Sequence, residues 1–307
     1  MNCKCSPDTK IFMQHDIHPS NYGSKSSAQK AFHDSQDNTI IFHCYWYGTF
    51  GRMQALSVKS LLASQENYPY EVWLWLDADS PDADTNNENN HYLNQIRDYV
   101  KIKSYTPDLV KSVPDFKKVS HAFTAVKNLA ARSDDFRIWV LHEYGGCYFD
   151  LDVMFLRDMG HLFSGSEFVY AWEHQTYANS AVIFLRKGSC LNEYIAHKTA
   201  SRQCAQPWVL FNYSDKHLCG MKLYACSLFD PLWIRNDDCE EYIFHNFDDF
   251  FKANKAISDG ILQSPADMFP YSYCYHWHNH WKAKIEAASP FEFCEQFFDL
   301  VLKNSPR

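Results

Sequence analysis

The sequence predicts an α/β fold, a mixed and mostly parallel sheet flanked by helices in a single large domain. Three observations carry this. From residue 38 onward, short apolar strand-like runs alternate with segments of helical periodicity. The first three of these are strand, helix and strand, the order of a βαβ unit, which joins parallel strands. And 46% of the 307 residues are hydrophobic, enough for a large core.

Taken in order, residues 1–38 are polar and unpatterned, and read as a lead-in outside the core. "NTIIFHCYWYG" (38–48) reads as a buried strand stopped by Gly48. "RMQALSVKSLLASQEN" (52–67) places apolar residues at 53, 56, 61 and 62, which suits a helix. "YEVWLWL" (70–76) is a second strand, followed by a polar loop over 81–90. In "SHAFTAVKNLAARSDDFRIWVLHEYGG" (120–146), apolar positions 122, 123, 126, 129 and 130 share a helical face. Ser133-Asp134 reads as a break that caps a second helix, and Gly145-Gly146 ends it. "CYFDLDVMFL" is expected as one strand, with "EFVYAW" (167–172) and "NSAVIFL" (179–185) as further strands. "PFEFCEQFFDLVLKN" (290–304) has the pattern of an amphipathic helix lying on the body. The expected division is one half over 39–160 and a second over 161–307, the latter closing with a loop and this helix.

Charge and composition narrow the function. The net charge is −8 and no basic run occurs, which sets aside a nucleic-acid partner. No stretch of about 18 apolar residues occurs, so no membrane span is expected. The start, "MNCKCSPDTK", has no apolar signal segment, and the eleven cysteines are scattered without paired CxxC spacing. Most are therefore expected to be reduced, and the chain reads as cytoplasmic, from a bacterium or large virus or as an effector delivered into a host cell. Aromatic residues make up 17%, a surplus that suits both core packing and stacking on sugars or bases.

The chemistry is expected at Asp150 and Asp152, at the end of an apolar run. Acids two apart on a strand face the same way and can share a hard cation such as Mn²⁺ or Mg²⁺. An isolated D-x-D is more often a pair of solvated turn acids, and Asp77 and Asp79 in "WLDADS" read as such a decoy. Asp150 and Asp152 have different company. "SDDFRIWVLHEYGGCYFDLDV" resembles S-D-x-x-R-x-x-x-L-x-x-x-G-G-x-Y-x-D-x-D, the pattern of retaining GT-A glycosyltransferases that include the yeast initiating α-1,6-mannosyltransferase and the α-1,4-galactosyltransferases, related to the large clostridial glucosylating toxins. Ser133, Asp134, Arg137, Leu141, Gly145, Gly146, Tyr148, Asp150 and Asp152 all match. "IIFHCYWYG" is similar to that family's first strand through His43, Trp46 and Gly48. "HWHNHW" is similar to H-W-x-G-S-W of the mannosyltransferase branch through His276, Trp277 and Trp281, with Asn279 where the branch has glycine. Asn179 matches the N-G strand of the galactosyltransferases, with Ser180 in place of the glycine.

The resemblance implies a GT-A, Rossmann-like fold and a metal-dependent transfer, with retention, from a nucleotide diphosphate sugar (UDP-sugar favoured) to a glycan or protein acceptor. It implies a cation held by Asp150 and Asp152 with a C-terminal histidine, His276 or its rival His278. Asp134 and Arg137 would hold sugar hydroxyls. Trp46 would stack on the base, in a donor site that also draws on His43, Gly48, Ser133, Tyr148, Asn179, Trp277 and Trp281. Glu173 is a candidate nucleophile, although a solvated loop acid explains it as well. Two rivals stand beside this reading. A haloacid-dehalogenase-type Mg²⁺ phosphatase also starts from a strand and D-x-D, but wants other residues after the second acid than Val153-Met154. A non-catalytic sugar-nucleotide or glycan-binding module would share the fold and would show no turnover. Residues 187–264 carry no recognisable motif.

Overall fold

The structure, a computed structural model, describes residues 39–80, 82–83, 89–106, 108–109, 129–202, 204–234 and 242–304. The lead-in expected over 1–38 and the apolar face expected at 122, 123 and 126 lie outside these residues. Nine strands are described: β1 (Ile40–Trp46), β2 (Tyr70–Asp77), β3 (Lys101–Tyr105), β4 (Gly146–Phe149), β5 (Val153–Phe155), β6 (Phe168–Ala171), β7 (Ala178–Leu185), β8 (Lys222–Tyr224) and β9 (Cys274–His276). The four long helices are α1 (Arg52–Ser64), α2 (Leu129–Tyr144), α3 (Cys190–Arg202) and α4 (Pro290–Asn304).

Seven strands form one sheet in the order β3-β2-β1-β4-β7-β6-β8. Every pairing is parallel except those of β7, which runs against both β4 and β6. This is the expected mixed, mostly parallel sheet in a single domain. The chain builds outward through β2 and β3, then returns to place β4 on the other side of β1. That reversal opens a crevice beyond the carboxyl ends of β1 and β4, where ligands of open α/β sheets bind. Trp46 ends β1, and Asp150 directly follows β4.

Both faces of the sheet are covered. Phe42, Leu74, Phe149 and Phe168 pack on one face, while Trp75, Tyr148 and Ile183 meet Phe136 and Trp139 of α2 on the other. A third apolar group joins α1 and α4 to the C-terminal loops through Leu56, Tyr275, Trp277 and Phe298. The β1–β4 pairing requires Gly146. It has φ +104, and a Cβ there would stand 2.2 Å from the carbonyl oxygen of Ile41. Gly145 (φ +69) ends α2 as expected.

Two local expectations are corrected. The helix does not break at Ser133-Asp134; α2 runs continuously from Leu129 to Tyr144, with Arg132 buried just before that point and Asp135, Phe136 and Arg137 buried just after it. And "CYFDLDVMFL" is two strands. Asp150–Asp152 form a turn, closed by Val153 N–H donating to the Asp150 carbonyl at 3.0 Å. After it, β5 leaves the main sheet and pairs antiparallel with β9, setting Val153 opposite His276. Seven described cysteines are free, five of them buried, while Cys219 is disulfide-bonded. Among the described residues no helix is long and apolar enough to cross a membrane.

Candidate active site

A cleft of about 530 Å³ lies over the crevice between β1 and β4. Its walls include Trp46, Ser133, Asp134, Arg137, Asp150, Asp152, Asn179, His276, His278 and Trp281. The turn after β4 delivers the two acids, α2 delivers Asp134 and Arg137, and the β5–β9 ribbon delivers the histidines. Residues far apart in sequence thus meet because β9 pairs with the strand that directly follows the D-x-D.

The two acids are held differently. Asp150 accepts from Arg137 Nη2 at 2.9 and 3.1 Å and from the Tyr148 hydroxyl at 2.9 Å. Ser133 adds contacts to Tyr148 (2.8 Å) and Asp150 (3.4 Å). Burial raises the Asp150 carboxyl above its ordinary value against the pull of Arg137. Asp152 faces the C-terminal loop: Asn279 N–H donates to its Oδ2 at 2.7 Å, and His276 Nε2 lies 3.3 Å from its Oδ1. Burial works to raise Asp152 too, but His276 and the Asn279 bond outweigh it and leave its pKa at about 2. The same pairing outweighs the effect of burial on His276 and lifts that ring to about 9. Burial, then the neighbouring His276, lowers His278. Asn279 has φ +60, the left-handed region that asparagine tolerates, so it meets the backbone demand of the glycine it replaces.

Arg137 is the hub of the α2 side. Beyond Asp150 it donates to Ser180 Oγ at 2.7 Å, pairs with Asp134 at 3.2 Å and lies over the Tyr148 ring. The expected Asp134–Arg137 pair is therefore not a surface pair; burial pushes the Asp134 carboxyl up to about 6 despite Arg137. Ser180, standing where glycine was expected, supplies an oxygen to Arg137 that glycine lacks.

Four expected donor residues do not line the cleft. His43 is fully buried; its Nε2 meets the Gly145 carbonyl at 3.0 Å and its Nδ1 accepts from Trp75 Nε1. It ties β1 to the end of α2, and burial lowers its pKa to about 3. Trp277 is fully buried in the C-terminal core beside Phe250. Side chains alternate along β9 and its extension, so when His276 and His278 face the cleft, Trp277 faces inward. Tyr148 is fully buried and acts from beneath, through Asp150. Gly48 is the fourth, its N–H donating to Ser80 Oγ at 2.9 Å. Trp46 and Trp281 pack edge to face at 4.9 Å on the cleft wall. Glu173 does not line the cleft.

Asp230 is a site residue that the sequence reading missed. Its side chain is fully buried, and His278 Nε2 lies 2.8 Å from Oδ2, with His276 Nδ1 at 3.8 Å. Its Oδ1 is buried without a hydrogen-bond partner. Asp230, His276 and His278 offer ligand atoms within 4.8 Å of one another. Carboxylate and imidazole donors together suit Mn²⁺ or a similar divalent ion, and an orphaned buried carboxylate oxygen fits a cationic guest. The available signal was an acid embedded in the apolar run "SLFDPLW". Trp172 and Trp208 also line the cleft, and Trp233 packs 5.2 Å from Trp172 and 4.5 Å from His278.

Residues 51–169 match a family model described as the glycosyltransferase sugar-binding region containing DXD motif. No curated protein sequence matches significantly. Among solved structures, the chain is similar to the PaToxG glycosyltransferase at 18% identity, covering 59% of this chain and 68% of that one, with a TM-score of 0.46. It is similar to the bifunctional WbbM glycosyltransferase at 11% identity (87% of this chain, 50% of that chain, TM-score 0.48). It is also similar to galactosyltransferase LgtC in complex with donor and acceptor sugar analogs, at 11% identity (84% and 96%, TM-score 0.43). The chain thus spans half the length of the WbbM chain. At these identities and scores the structural likeness adds nothing beyond the family match, which includes α2, both acids of the D-x-D and β5, and which sets the phosphatase rival aside. Residues 51–169 are thus similar to the DXD-containing sugar-binding region of glycosyltransferases, and in this chain that segment lies at the mouth of a mostly parallel α/β sheet.

Proposed function

We propose that the protein transfers a sugar from a nucleotide diphosphate sugar, UDP-sugar favoured, to a glycan or protein acceptor with retention, using Mn²⁺ or Mg²⁺. The observation that supports this best is the meeting of Asp150 and Asp152 with His276, His278 and Trp46 on the walls of one cleft. Asp150, Asp152 and the histidine pair are the residues that would hold the cation. When bound, it would supply Lewis-acid stabilisation of the charge that develops on the departing diphosphate.

The chain's own groups would do the rest. Trp46, braced by Trp281, offers a face for the base. Arg137 and Asp134 sit where sugar hydroxyls would lie, and Asn179 lines the same wall. Trp172 and Trp208 line the same cleft, and Trp208 is half exposed, which suits an acceptor lying over it. The carboxylates on the cleft wall are Asp134, Asp150 and Asp152, and each is paired with Arg137 or with His276 and Asn279. None is free to attack the anomeric carbon. A front-face course follows: the bond from C1 to the diphosphate oxygen breaks, its electron pair stays on that oxygen, and the acceptor hydroxyl bonds to C1 from the same side. Its proton passes to the departing phosphate.

The test is a screen of nucleotide sugars for Mn²⁺-dependent hydrolysis, because water can replace an unknown acceptor. Release of nucleotide diphosphate from one donor, abolished by EDTA and restored by Mn²⁺, is the expected result. No release from any donor, with or without metal, would leave the binding-module reading in its place.

A further inference from the structure

His276 and His278 differ in what their nitrogens face. Nε2 of His276 lies 3.3 Å from Asp152 Oδ1, and its Nδ1 lies 3.2 Å from the Tyr170 hydroxyl and 3.8 Å from Asp230 Oδ2. Nε2 of His278 is spent on Asp230 Oδ2, at 2.8 Å, and the two imidazoles stack with centroids 3.8 Å apart. Among the described residues, Asp230 thus has a carboxylate oxygen near a ring nitrogen of both histidines, and on His276 that nitrogen is not the one beside Asp152. It is fully buried, close to Phe229 and Cys226, in a segment outside the matched family region.

We propose that Asp230 is the positioning residue of the cation site: its carboxylate fixes His278 as a prop and holds the Nδ1 side of His276, so that His276 presents Nε2 beside Asp152 as the histidine ligand. The inference rests on the metal-dependent reading above and sharpens it, because it separates the two histidines. A histidine that ligates a metal commonly donates its other N–H to a carboxylate or similar acceptor, which sets the tautomer and aims the ring. Asp230 and Tyr170 stand at that second nitrogen of His276. His278 has no such division of labour; its Nε2 is occupied, and its ring backs His276 by stacking, held in turn against Trp233 at 4.5 Å. The backbone supports the same arrangement, since φ +49 at His278 turns the chain so that both rings stack on one side of the loop.

The experiment measures Mn²⁺ binding to the purified full chain in the presence of UDP, by the electron paramagnetic resonance signal of free Mn²⁺. Histidine nitrogen coupling to the bound ion is read by electron spin echo modulation. Asp230→Ala should weaken Mn²⁺ binding by roughly 10–100-fold, the range for removing such supporting groups, and reduce the nitrogen modulation. Asp230→Asn keeps an oxygen that accepts from His278 and should fall between Ala and wild type. His278→Ala should retain the nitrogen modulation, whereas His276→Ala should abolish it. Wild-type affinity and modulation in Asp230→Ala would overturn the proposal. Should that variant not fold, wild-type affinity in Asp230→Asn would do the same. Asp152→Asn separates the two levels. If it weakens Mn²⁺ binding while the Asp230 variants do not, only the role of Asp230 falls. If wild type and Asp152→Asn bind equally poorly, the metal reading falls and takes this proposal with it.

Discussion

Asp77-Ala78-Asp79 and Asp150-Leu151-Asp152 have the same spacing, and both follow strands that flank β1. Their surroundings differ completely. Asp77 is buried against Arg132 at 2.6 Å and accepts from the Tyr45 hydroxyl, while Asp79 is exposed and meets the same arginine at 3.3 Å. That pair is answered within the protein by one guanidinium. The pair at 150 and 152 is split: Arg137 answers the first acid, and the second meets His276 and the Asn279 N–H, with His278 and Asp230 beyond them. Spacing is thus silent about function. What distinguishes the two is whether the far side of the second acid is closed by a fixed cation or left to groups that bind a mobile one.

The largest effect should come from breaking the second pair. Asp152→Asn should reduce donor turnover by roughly a hundredfold or more, because an amide is a poor ligand for a hard cation. Assays of nucleotide release with and without EDTA check this, and EDTA should add nothing to the variant's loss. Asp77→Ala should act on stability instead. Removing one partner of a buried pair costs about 3–5 kcal/mol, and denaturant titration should show it. Mn²⁺ affinity of the protein that remains folded should be unchanged; a loss there would erase the contrast between the two motifs.

Smaller effects sharpen the contrast. Trp46→Ala should weaken nucleotide diphosphate binding by about 1–3 kcal/mol, the scale of aromatic–base stacking, with little change in Mn²⁺ binding alone. Calorimetric titration with UDP reads it. The pH dependence follows from His276, whose folded pKa of about 9 lies above the ordinary 6.5. A raised histidine contributes stability that is full below 6.5 and is lost as pH rises through 9, so the cation-free protein should become less stable across that window. A metal needs the deprotonated ring nitrogen, so its binding should release a proton and tighten as pH rises from 6.5 toward 8. An indicator dye in weak buffer measures the release; none would mean His276 is not a ligand. Smallest of all, Asp79→Asn should cost less than about 1 kcal/mol, being an exposed partner.

The parts of the fold legible in the sequence are those built from local pattern. β1, α1, β2 and α4 follow directly from strand and helix periodicity, and the S-D-x-x-R to D-x-D spacing identifies which acids face the cleft. What escaped depends on distant partners. β9 is three residues long and becomes a strand only because β5 pairs with it. Asp230 has no neighbouring motif, and its meaning appears only when the loop after β8 folds under His278. His43 and Trp277 lie in matching motifs, yet burial of one and strand alternation of the other turn them into the core. A motif match gives positions; the direction of each side chain is decided by packing.

The β5–β9 ribbon has a consequence for how the molecule comes into being. His276 lies 123 residues beyond Val153. At synthesis rates of about 5–20 residues per second, the acids leave the ribosome roughly 6–25 s before their histidines exist. During that interval β5 has no β9 to cover it, whereas the α1 partners that bind its backbone in the folded protein, Ser57 and Ser60 at 2.5 and 2.9 Å, have already been made. The N-terminal half can therefore assemble first, with an acidic opening that nothing yet closes. The cleft is the last part to be completed, by a long-range contact of the slow kind, and a nascent chain stalled before β9 would carry the D-x-D without the histidines that face it.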